Sequence, residues 1–308
     1  MRIAILGAGA LGCYYGACLA KAGHDVRFIM RSACEHVRRE GLYIHSVKGD
    51  ISLPRARAMR TPEECGPVDL VVVAWKTCCN HLFPASLPPL LKNGTRIVTL
   101  QNGMGNAEQI AQVTSAADIF TGLCFVCCMT DSPGTIRHLE GGDIQFAPLE
   151  PTDAGMKGAQ KLAVLFAEAG IKTEAFRHTE QILWCKLTWN IPFNGLCLAL
   201  GGIDVEKLFT MPEQVHRARC IIDEVCTTAK MRGFPTPEGI ADYQMARTAK
   251  MGPFIPSSAV DYLKGRPVEY DAIWGTPLKR AQSVHAPVPL WNQLCRDIRT
   301  RLGLPIDI

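Results

Sequence analysis

The pattern of apolar and polar positions changes near residue 177, and the two parts of the chain predict different secondary structure. In the first part, short continuous apolar runs alternate with stretches of helical spacing. This alternation is typical of a parallel sheet that is covered by helices on both faces. The predicted strands are residues 2–6, 24–30, 69–75, 96–100, 119–127 and 171–176, and the predicted helices include 106–113 and 156–169.

An antiparallel addition is predicted near the end of this first part. Residues 134–139 and 143–147 flank Glu140-Gly141-Gly142, a glycine-containing segment typical of a hairpin turn. After Arg177 the strand signals fade and helical spacing takes over. Helices are predicted from residue 179 and over 212–232, 237–251, 269–285 and 288–301. We therefore predict an α/β chain with a Rossmann doubly wound parallel sheet over residues 1–177 and an all-α helical domain over residues 178–308.

A glycine-rich turn, Gly7-Ala8-Gly9-Ala10-Leu11-Gly12, closes the first apolar run and opens a predicted helix. In such a turn the glycines allow the tight bend, the close approach of backbone to a pyrophosphate, and close packing of helix on strand. The free N–H groups and positive dipole end of the helix face the anion. The turn therefore predicts a dinucleotide site.

Arg31 indicates which dinucleotide binds. An NAD site usually carries Asp or Glu at the end of the second strand, where it holds the ribose 2′-hydroxyl. Here the sequence is Met30-Arg31-Ser32, and a guanidinium matches a 2′-phosphate through charge-assisted hydrogen bonds. We predict NADP rather than NAD, the alternative being that Arg31 is an ordinary exposed arginine.

Two polar residues follow buried strands at the edge of the sheet where ligands bind in open α/β folds. Lys76 follows the strand at 69–75, and Asn102 follows the strand at 96–100 in Gln101-Asn102-Gly103. A glycine beside the asparagine lets the backbone come close to a ligand. The alternative is that Asn102-Gly103 is simply a turn and Lys76 a solvated residue.

A polar stripe opens the helical part. Lys186, Asn190 and Asn194 recur at helical spacing among apolar neighbours, so they either face water or line a cleft. Pro192 removes a helical hydrogen bond and predicts a kink at this stripe. A protonated lysine polarises a carbonyl and donates a proton as hydride arrives, so Lys186 is a candidate general acid. Hydroxyls and a carboxylate follow at Ser257-Ser258 and Glu269, where they serve either the site or only the helix starts.

Composition narrows the function. The net charge of +4, from 33 basic and 29 acidic residues without a basic run, does not indicate nucleic acid or an anionic membrane as a partner. The glycine turn interrupts the first apolar stretch, which is therefore neither a secretory signal nor a membrane span. The fourteen cysteines lie mostly in apolar runs. Although Cys124-Phe-Val-Cys127 has the spacing of a redox or zinc pair, we expect core packing, no metal and a reducing cytoplasm.

As an ordered set, these residues resemble the ketopantoate reductase family over nearly the whole chain. The matching pieces are Gly7–Gly12, Arg31, Lys76, Asn102-Gly103-Met104-Gly105, Trp184, Lys186, Asn190, Asn194, Ser257-Ser258, Glu269 and Asp271. The resemblance implies a Rossmann domain and a helical domain, with NADPH and substrate in the cleft between them. It also implies reduction of 2-dehydropantoate to pantoate, a step of pantothenate and coenzyme A synthesis.

The resemblance also implies a role for each matching position. Lys186 is implied as the general acid, and Asn102 as a contact of both cofactor and substrate. The remaining implied substrate contacts are Asn190, Asn194 and Ser258. The remaining implied cofactor contacts are Gly7, Ala8, Gly9, Ala10, Leu11, Gly12, Arg31, Lys76, Cys128 (through its backbone) and Glu269 (beside the nicotinamide ribose).

Three positions depart from the family pattern. Asp204 lies near an expected asparagine, Ile255-Pro256 replaces a more polar pair, and Trp274 replaces a common asparagine before Gly275. These changes leave open an alternative, an NADPH-dependent reductase of another branched or aromatic 2-oxo acid. A second alternative, from another class, is a non-catalytic NADPH-binding regulator. The composition permits either a monomer or a homodimer.

Overall fold

The computed structural model describes residues 1–305 of the chain. The chain divides into two compact units. The first comprises Met1–Gln101 and Asn106–Thr179, and the second comprises Asn102–Gly105 and the residues from Glu180 onward. The predicted fold class, a Rossmann-type sheet followed by a helical region, is confirmed.

The first unit is built on a ten-stranded sheet in the order β4-β3-β9-β8-β7-β6-β1-β2-β5, with β10 beside β9. The strands are β1 Arg2–Leu6, β2 Asp25–Ile29, β3 Leu42–Ser46, β4 Ile51–Leu53, β5 Arg57–Met59, β6 Leu70–Val73, β7 Arg96–Thr99, β8 Ile119–Ser132, β9 Thr135–Pro148 and β10 Thr173–Ala175. The helices of this unit are α1 Ala10–Lys21, α2 Cys34–Glu40, α3 Pro62–Cys65, α4 Phe83–Ser86, α5 Asn106–Ile110 and α6 Asp153–Glu168.

The central strands are buried on both faces, as the continuous apolar runs predicted. β1 pairs in parallel with β2 on one side and with β6 on the other. Alternate residues of β1 enter two different cores, with Ile3 and Ile5 in one and Ala4 and Leu6 in the other. Since side chains alternate across a strand, each face of the sheet needs its own apolar layer.

The predicted hairpin around Glu140-Gly141-Gly142 is wrong. These residues lie inside the long strand β9, and the turn between β8 and β9 falls at Pro133-Gly134, where Ser132 pairs with Thr135. The pairing shifts register between Phe125 and Val126, so Gly142 is an extra residue in the ladder. A Cβ on Gly141 would overlap the Phe125 carbonyl oxygen, and both glycines have positive φ. The glycine pair therefore serves a bulge rather than a turn.

The second unit is helical in the part that the structure describes. Its helices are α7 Thr179–Trp189, α8 Gly195–Ala199, α9 Val205–Phe209, α10 Pro212–Met231, α11 Ile240–Thr248, α12 Ser257–Leu263, α13 Thr276–Ser283 and α14 Pro289–Leu302. Two π-helical turns, Asn190–Asn194 and Asp271–Gly275, precede α8 and α13. Within residues 1–305, every helix is too short or too polar to span a bilayer.

Candidate functional site

The glycine turn between β1 and α1 has the geometry that a dinucleotide requires. Gly7 has a φ of 91°, and a Cβ there would lie 2.5 Å from the backbone nitrogen of Trp75. A Cβ on Gly12 would lie 2.8 Å from the carbonyl oxygen of Gly7 and from a methyl group of Ile5. Gly9 is exposed, and a Cβ there would meet no atom within 4 Å. Two glycines therefore serve the turn and the packing, while the third faces open space.

The N-terminus of α1 suits an anion. Gly9 is the N-cap of this twelve-residue helix and supplies no side-chain cap. The first N–H groups of a helix have no partner within the helix, and here they lie in the open turn beside Gly9. Ala8, Ala10 and Leu11 are half-buried along the same turn. The residues from Gly7 to Gly12 therefore fit the pyrophosphate of a dinucleotide.

Arg31 lies just beyond β2 and is exposed. The N–H of Met30 donates to the carbonyl oxygen of Met59 at 3.0 Å, which brings the ends of β2 and β5 side by side. The sequence that follows β2, Met30-Arg31-Ser32, offers a guanidinium and a hydroxyl instead of a carboxylate. This donor set suits a phosphate on the ribose better than a bare hydroxyl.

A buried network of polar side chains lies at the carboxyl ends of β6 and β7, and sequence reasoning missed it. The Oδ1 of Asn80 accepts from Trp75 Nε1 at 3.1 Å and from Gln101 Nε2 at 2.7 Å. The Nδ2 of Asn80 donates to Asn106 Oδ1 at 3.0 Å. Thr99 Oγ1 donates to the Oε1 of Gln101 at 2.9 Å. The sequence signal that could have indicated this network is Gln101, a large polar residue two positions after the largely buried strand β7.

Lys76 is exposed and lies directly before the 3₁₀ turn Thr77–Leu82, in which Asn80 sits. It follows Trp75, whose carbonyl oxygen accepts from Gln101 Nε2 at 3.1 Å. Gln101, which follows β7, thereby holds the backbone of the residue before Lys76.

Asn102 and Lys186 meet within the second unit. Lys186 Nζ donates to Asn102 Oδ1 at 2.9 Å, and both residues are half-buried. The segment Asn102–Gly105 packs closely against Ala272, whose carbonyl oxygen accepts a hydrogen bond from Met104 N at 2.8 Å. Gly103 has a φ of 77°, and a Cβ there would overlap the same carbonyl group. Asn102-Gly103 is therefore more than a surface turn, because it orients an amide oxygen toward a lysine.

Asn190 and Asn194 form a second polar group with Ser258. The three residues are only 5%, 2% and 3% exposed, so the solvated-face alternative is wrong for the two asparagines. Asn194 Nδ2 donates to Asn190 Oδ1 at 3.4 Å, and Asn194 Oδ1 accepts from the N–H of Ser258 at 3.1 Å. The serines are not helix caps, because Pro256 is the N-cap of α12 and Asn194 satisfies the helix N–H.

The predicted kink at Pro192 takes the form of a π-helical turn. Asn190–Asn194 makes this wide turn between α7 and α8, and proline lacks the N–H that a regular helix would use. Trp274, from the second π-helical turn, is fully buried and donates from Nε1 to the Ile191 carbonyl oxygen at 3.0 Å. Trp274, which replaces an asparagine in the pattern described above, thus makes a packing contact that stabilises the wide turn at Asn190–Asn194.

The N-terminal turn of α7 is held by a charged cluster. The Glu180 carboxylate accepts two hydrogen bonds from Arg232 at 2.7 Å each, one from Arg280 at 2.9 Å and one from Trp184 Nε1 at 2.9 Å. Burial acts to raise the pKa of the Glu180 carboxyl, but the bonds from Arg232 and Trp184 outweigh it and hold that pKa below its usual range. This cluster attaches α7, which carries Lys186, to α10 and α13.

The remaining candidates lie in different surroundings. Glu269 is buried in the second unit, two residues before the π-helical turn at Asp271–Gly275. Cys128 is half-buried in β8, and burial, followed by the neighbouring Cys124, raises the pKa of its thiol to about 12. Asp204 caps α9 by accepting from Lys207 N at 2.6 Å. Cys128 is thus a neutral thiol at neutral pH, and the Asp204 carboxylate is engaged in a helix cap.

All fourteen cysteines are free thiols. Within residues 1–305, no group of three or more His, Cys, Asp or Glu side chains is arranged to hold a metal ion.

Comparison with known proteins places the chain in a family. The model of the family described as ketopantoate reductase PanE/ApbA matches residues 3–151, and the model of its C-terminal region matches residues 178–301. A 2-dehydropantoate 2-reductase of Nostoc sp. is 38% identical over 306 residues, which cover 97% of this chain and 94% of that protein.

Solved structures agree with this placement. The crystal structure of 2-dehydropantoate 2-reductase from Geobacter metallireducens is 37% identical, covers 97% of this chain and 99% of its own, and has a TM-score of 0.93. A D-mandelate dehydrogenase in ternary complex with NADH and anilino(oxo)acetate has a TM-score of 0.86 at 21% identity, over 98% of this chain and 99% of its own, and shows a shared fold. Because the two family models together match most of the sequence, this oxidoreductase belongs to the ketopantoate reductase family.

Proposed function

We propose that this protein reduces 2-dehydropantoate to pantoate with NADPH, a step in pantothenate and coenzyme A biosynthesis. The names of the two relatives at 37–38% identity support the reaction, since each matches this chain over nearly its whole length. The observation that carries the proposal is the 2.9 Å contact between Lys186 Nζ and Asn102 Oδ1. It orients a proton donor beside an amide, and both groups are half-buried.

The cofactor role would fall to the residues that the sequence predicts for it. The turn Gly7–Gly12 would hold the pyrophosphate, and Arg31 would pair with the 2′-phosphate. The remaining cofactor contacts would be Lys76, Asn102, the backbone of Cys128, and Glu269. Bound NADPH supplies the hydride for the carbonyl carbon. The functional division that we propose is an NADP-binding domain over residues 1–177 and a substrate-binding and catalytic domain over residues 178–308.

Lys186 would act as the general acid. Its ammonium hydrogen-bonds the oxygen of the 2-oxo group and gives up a proton as the C=O bond becomes CH–OH, and solvent then reprotonates the amine. Asn102 Oδ1 accepts one of the three N–H bonds of the ammonium and so limits its orientation. The Glu180 cluster supports this role because it fixes the helix from which Lys186 projects.

The substrate would be recognised by the buried polar group of Asn190, Asn194 and Ser258. Amides and a hydroxyl that are more than nine-tenths buried in apolar surroundings are costly unless they are hydrogen-bonded. A 2-oxo acid that carries a hydroxyl offers donors and acceptors to such a group. The fourteen free thiols, of which Cys78 is exposed, support a reducing compartment such as the cytoplasm.

The test is the oxidation of NADPH with a panel of 2-oxo acids. Ketopantoate is compared with 3,3-dimethyl-2-oxobutanoate, which lacks only its hydroxyl, and with phenylglyoxylate. We expect kcat/KM for ketopantoate to exceed that for 3,3-dimethyl-2-oxobutanoate by about 100-fold or more, because a site that hydrogen-bonds a hydroxyl rejects the analogue without it. A preference for phenylglyoxylate would contradict the proposed substrate. NADPH binding without oxidation by any member of the panel would instead indicate a regulator.

A further inference from the structure

The Asn80 side chain lies between the two ends of the segment that carries Asn102. Asn102–Gly105 groups with the second unit, whereas the residues on either side of it, Gln101 and Asn106, belong to the first. Asn80 binds both flanking residues, with Oδ1 accepting from Gln101 Nε2 at 2.7 Å and Nδ2 donating to Asn106 Oδ1 at 3.0 Å. One carboxamide therefore sets the separation between the start and the end of this segment.

The same carboxamide also holds the chain before Lys76. Its Oδ1 accepts from Trp75 Nε1 at 3.1 Å, and Gln101 Nε2 reaches the Trp75 carbonyl oxygen at 3.1 Å. Asn80 and Gln101 are 6% and 5% exposed, so these bonds form in a low-dielectric setting, where they are strong and costly to lose. Asn80 thus joins the loop after β6 to the loop after β7.

We propose that Asn80 is a positioning residue for the reduction, acting through the backbone on either side of Asn102 and before Lys76. This inference rests on the proposed function. Asn80 itself needs no contact with substrate or cofactor for this role, because it sets where two contacting residues stand. A misplacement of about 1 Å in such residues costs on the order of 100-fold in rate.

The hydrogen bonds of Asn80 lie at the carboxyl end of β7, so a positioning role can be distinguished from a purely stabilising one by comparison with the amino end of the same strand. At the opposite, amino end of β7, Thr95 is 5% exposed and ties that strand to its neighbours, donating to the Val68 carbonyl oxygen at 2.6 Å and accepting from Lys92 N at 2.9 Å. Thr95 therefore provides equally buried hydrogen bonds far along the strand from the predicted site. It offers a matched control in which stability is lost without any change at the carboxyl end.

The test compares Asn80→Leu with Thr95→Val in the full-length protein. Thermal unfolding, NADPH affinity by fluorescence titration, and kcat and KM with ketopantoate are measured for both. For Asn80→Leu we expect kcat/KM to fall about 10- to 100-fold, through kcat as well as KM. For Thr95→Val we expect a lower Tm with kcat/KM within about two-fold of wild type, because the site geometry is unchanged. The indole N–H resonance of Trp75 shifts only in Asn80→Leu.

A second variant covers the case in which Asn80→Leu does not fold. Asn106→Ala releases one end of the segment and leaves the bonds to Trp75 and Gln101, and we expect kcat/KM to fall about 3- to 10-fold. If the variants that fold match Thr95→Val in kcat/KM at a similar Tm, Asn80 has only a structural role and the inference is overturned. A wild-type protein that is inactive on ketopantoate is a different result, which contradicts the proposed function.

Discussion

Replacing Lys186 with alanine removes the ammonium that donates to Asn102 at 2.9 Å and leaves the rest of α7 intact. General acid catalysis contributes roughly 10²- to 10⁴-fold to a rate. The variant should therefore lose about 3–5 kcal/mol of transition-state stabilisation, since each tenfold loss corresponds to about 1.4 kcal/mol. Because Asn102 is the one proposed nucleotide contact that Lys186 touches in the hydrogen bonds described above, NADPH affinity should stay within about two-fold of wild type.

The assay pairs steady-state NADPH oxidation with fluorescence titration of NADPH in the absence of substrate. Lys279→Ala is the matched control, because Lys279 is exposed on α13 of the same unit and has no place in the proposed site. Added ethylamine should restore part of the activity of Lys186→Ala by occupying the space of the lost ammonium, and it should leave the control unchanged. If Lys186→Ala turns over like Lys279→Ala, Lys186 is not the general acid. A loss confined to NADPH binding would also refute the role.

Three further predictions test the cofactor turn and the helix that carries Lys186. Arg31→Ala should reduce the preference for NADPH over NADH by about tenfold or more, because the 2′-phosphate loses a charge-assisted partner; an unchanged ratio of the two kcat/KM values would make Arg31 a bystander. Gly7→Ala should unfold at a lower temperature, because the position has a φ of 91° and the added Cβ would overlap Trp75 just beyond β6. In Gly9→Ala the added methyl group points into open space, so this variant should keep the Tm of wild type but bind NADPH more weakly. Equal Tm values for Gly7→Ala and Gly9→Ala would contradict the different roles of the two glycines. Glu180→Gln should have a free energy of unfolding, measured with urea at neutral pH, about 3 kcal/mol lower than wild type, since it leaves two half-buried guanidinium groups without their anion. Because the folded-state pKa of Glu180 lies below its ordinary value of 4.5, its stabilisation is present above that value and is lost as the pH falls through the folded-state pKa. The difference in the free energy of unfolding between wild type and Glu180→Gln should therefore become smaller as the pH is lowered. A difference that does not change with pH would exclude the ionised carboxylate as its source.

Local signals were enough to predict the central strands of the sheet and the longest helices of the helical unit, but not the short strands β3, β4 and β5. The runs at residues 2–6 and 69–75 are continuous and apolar because strands buried on both faces need no polar alternation, and both form central strands. The glycines at 7, 9 and 12 specify a strand–turn–helix in one stretch of chain, so spacing alone predicts it. Pro192 likewise marks the irregular turn after α7, because a missing N–H is a local property.

Tertiary contacts decided what depends on residues far apart in the chain. Glu140-Gly141-Gly142 has the composition of a turn, yet the pairing of β8 with β9 makes it a bulge, since cross-strand register is a non-local choice. Lys186 meets Asn102 across 84 residues of sequence, and no spacing rule anticipates that hydrogen bond. Sequence alone determined which groups with the right chemistry are present, because side-chain type and local spacing are encoded residue by residue. Folding decided which of them meet, because the distance between two side chains depends on the packing of the whole unit.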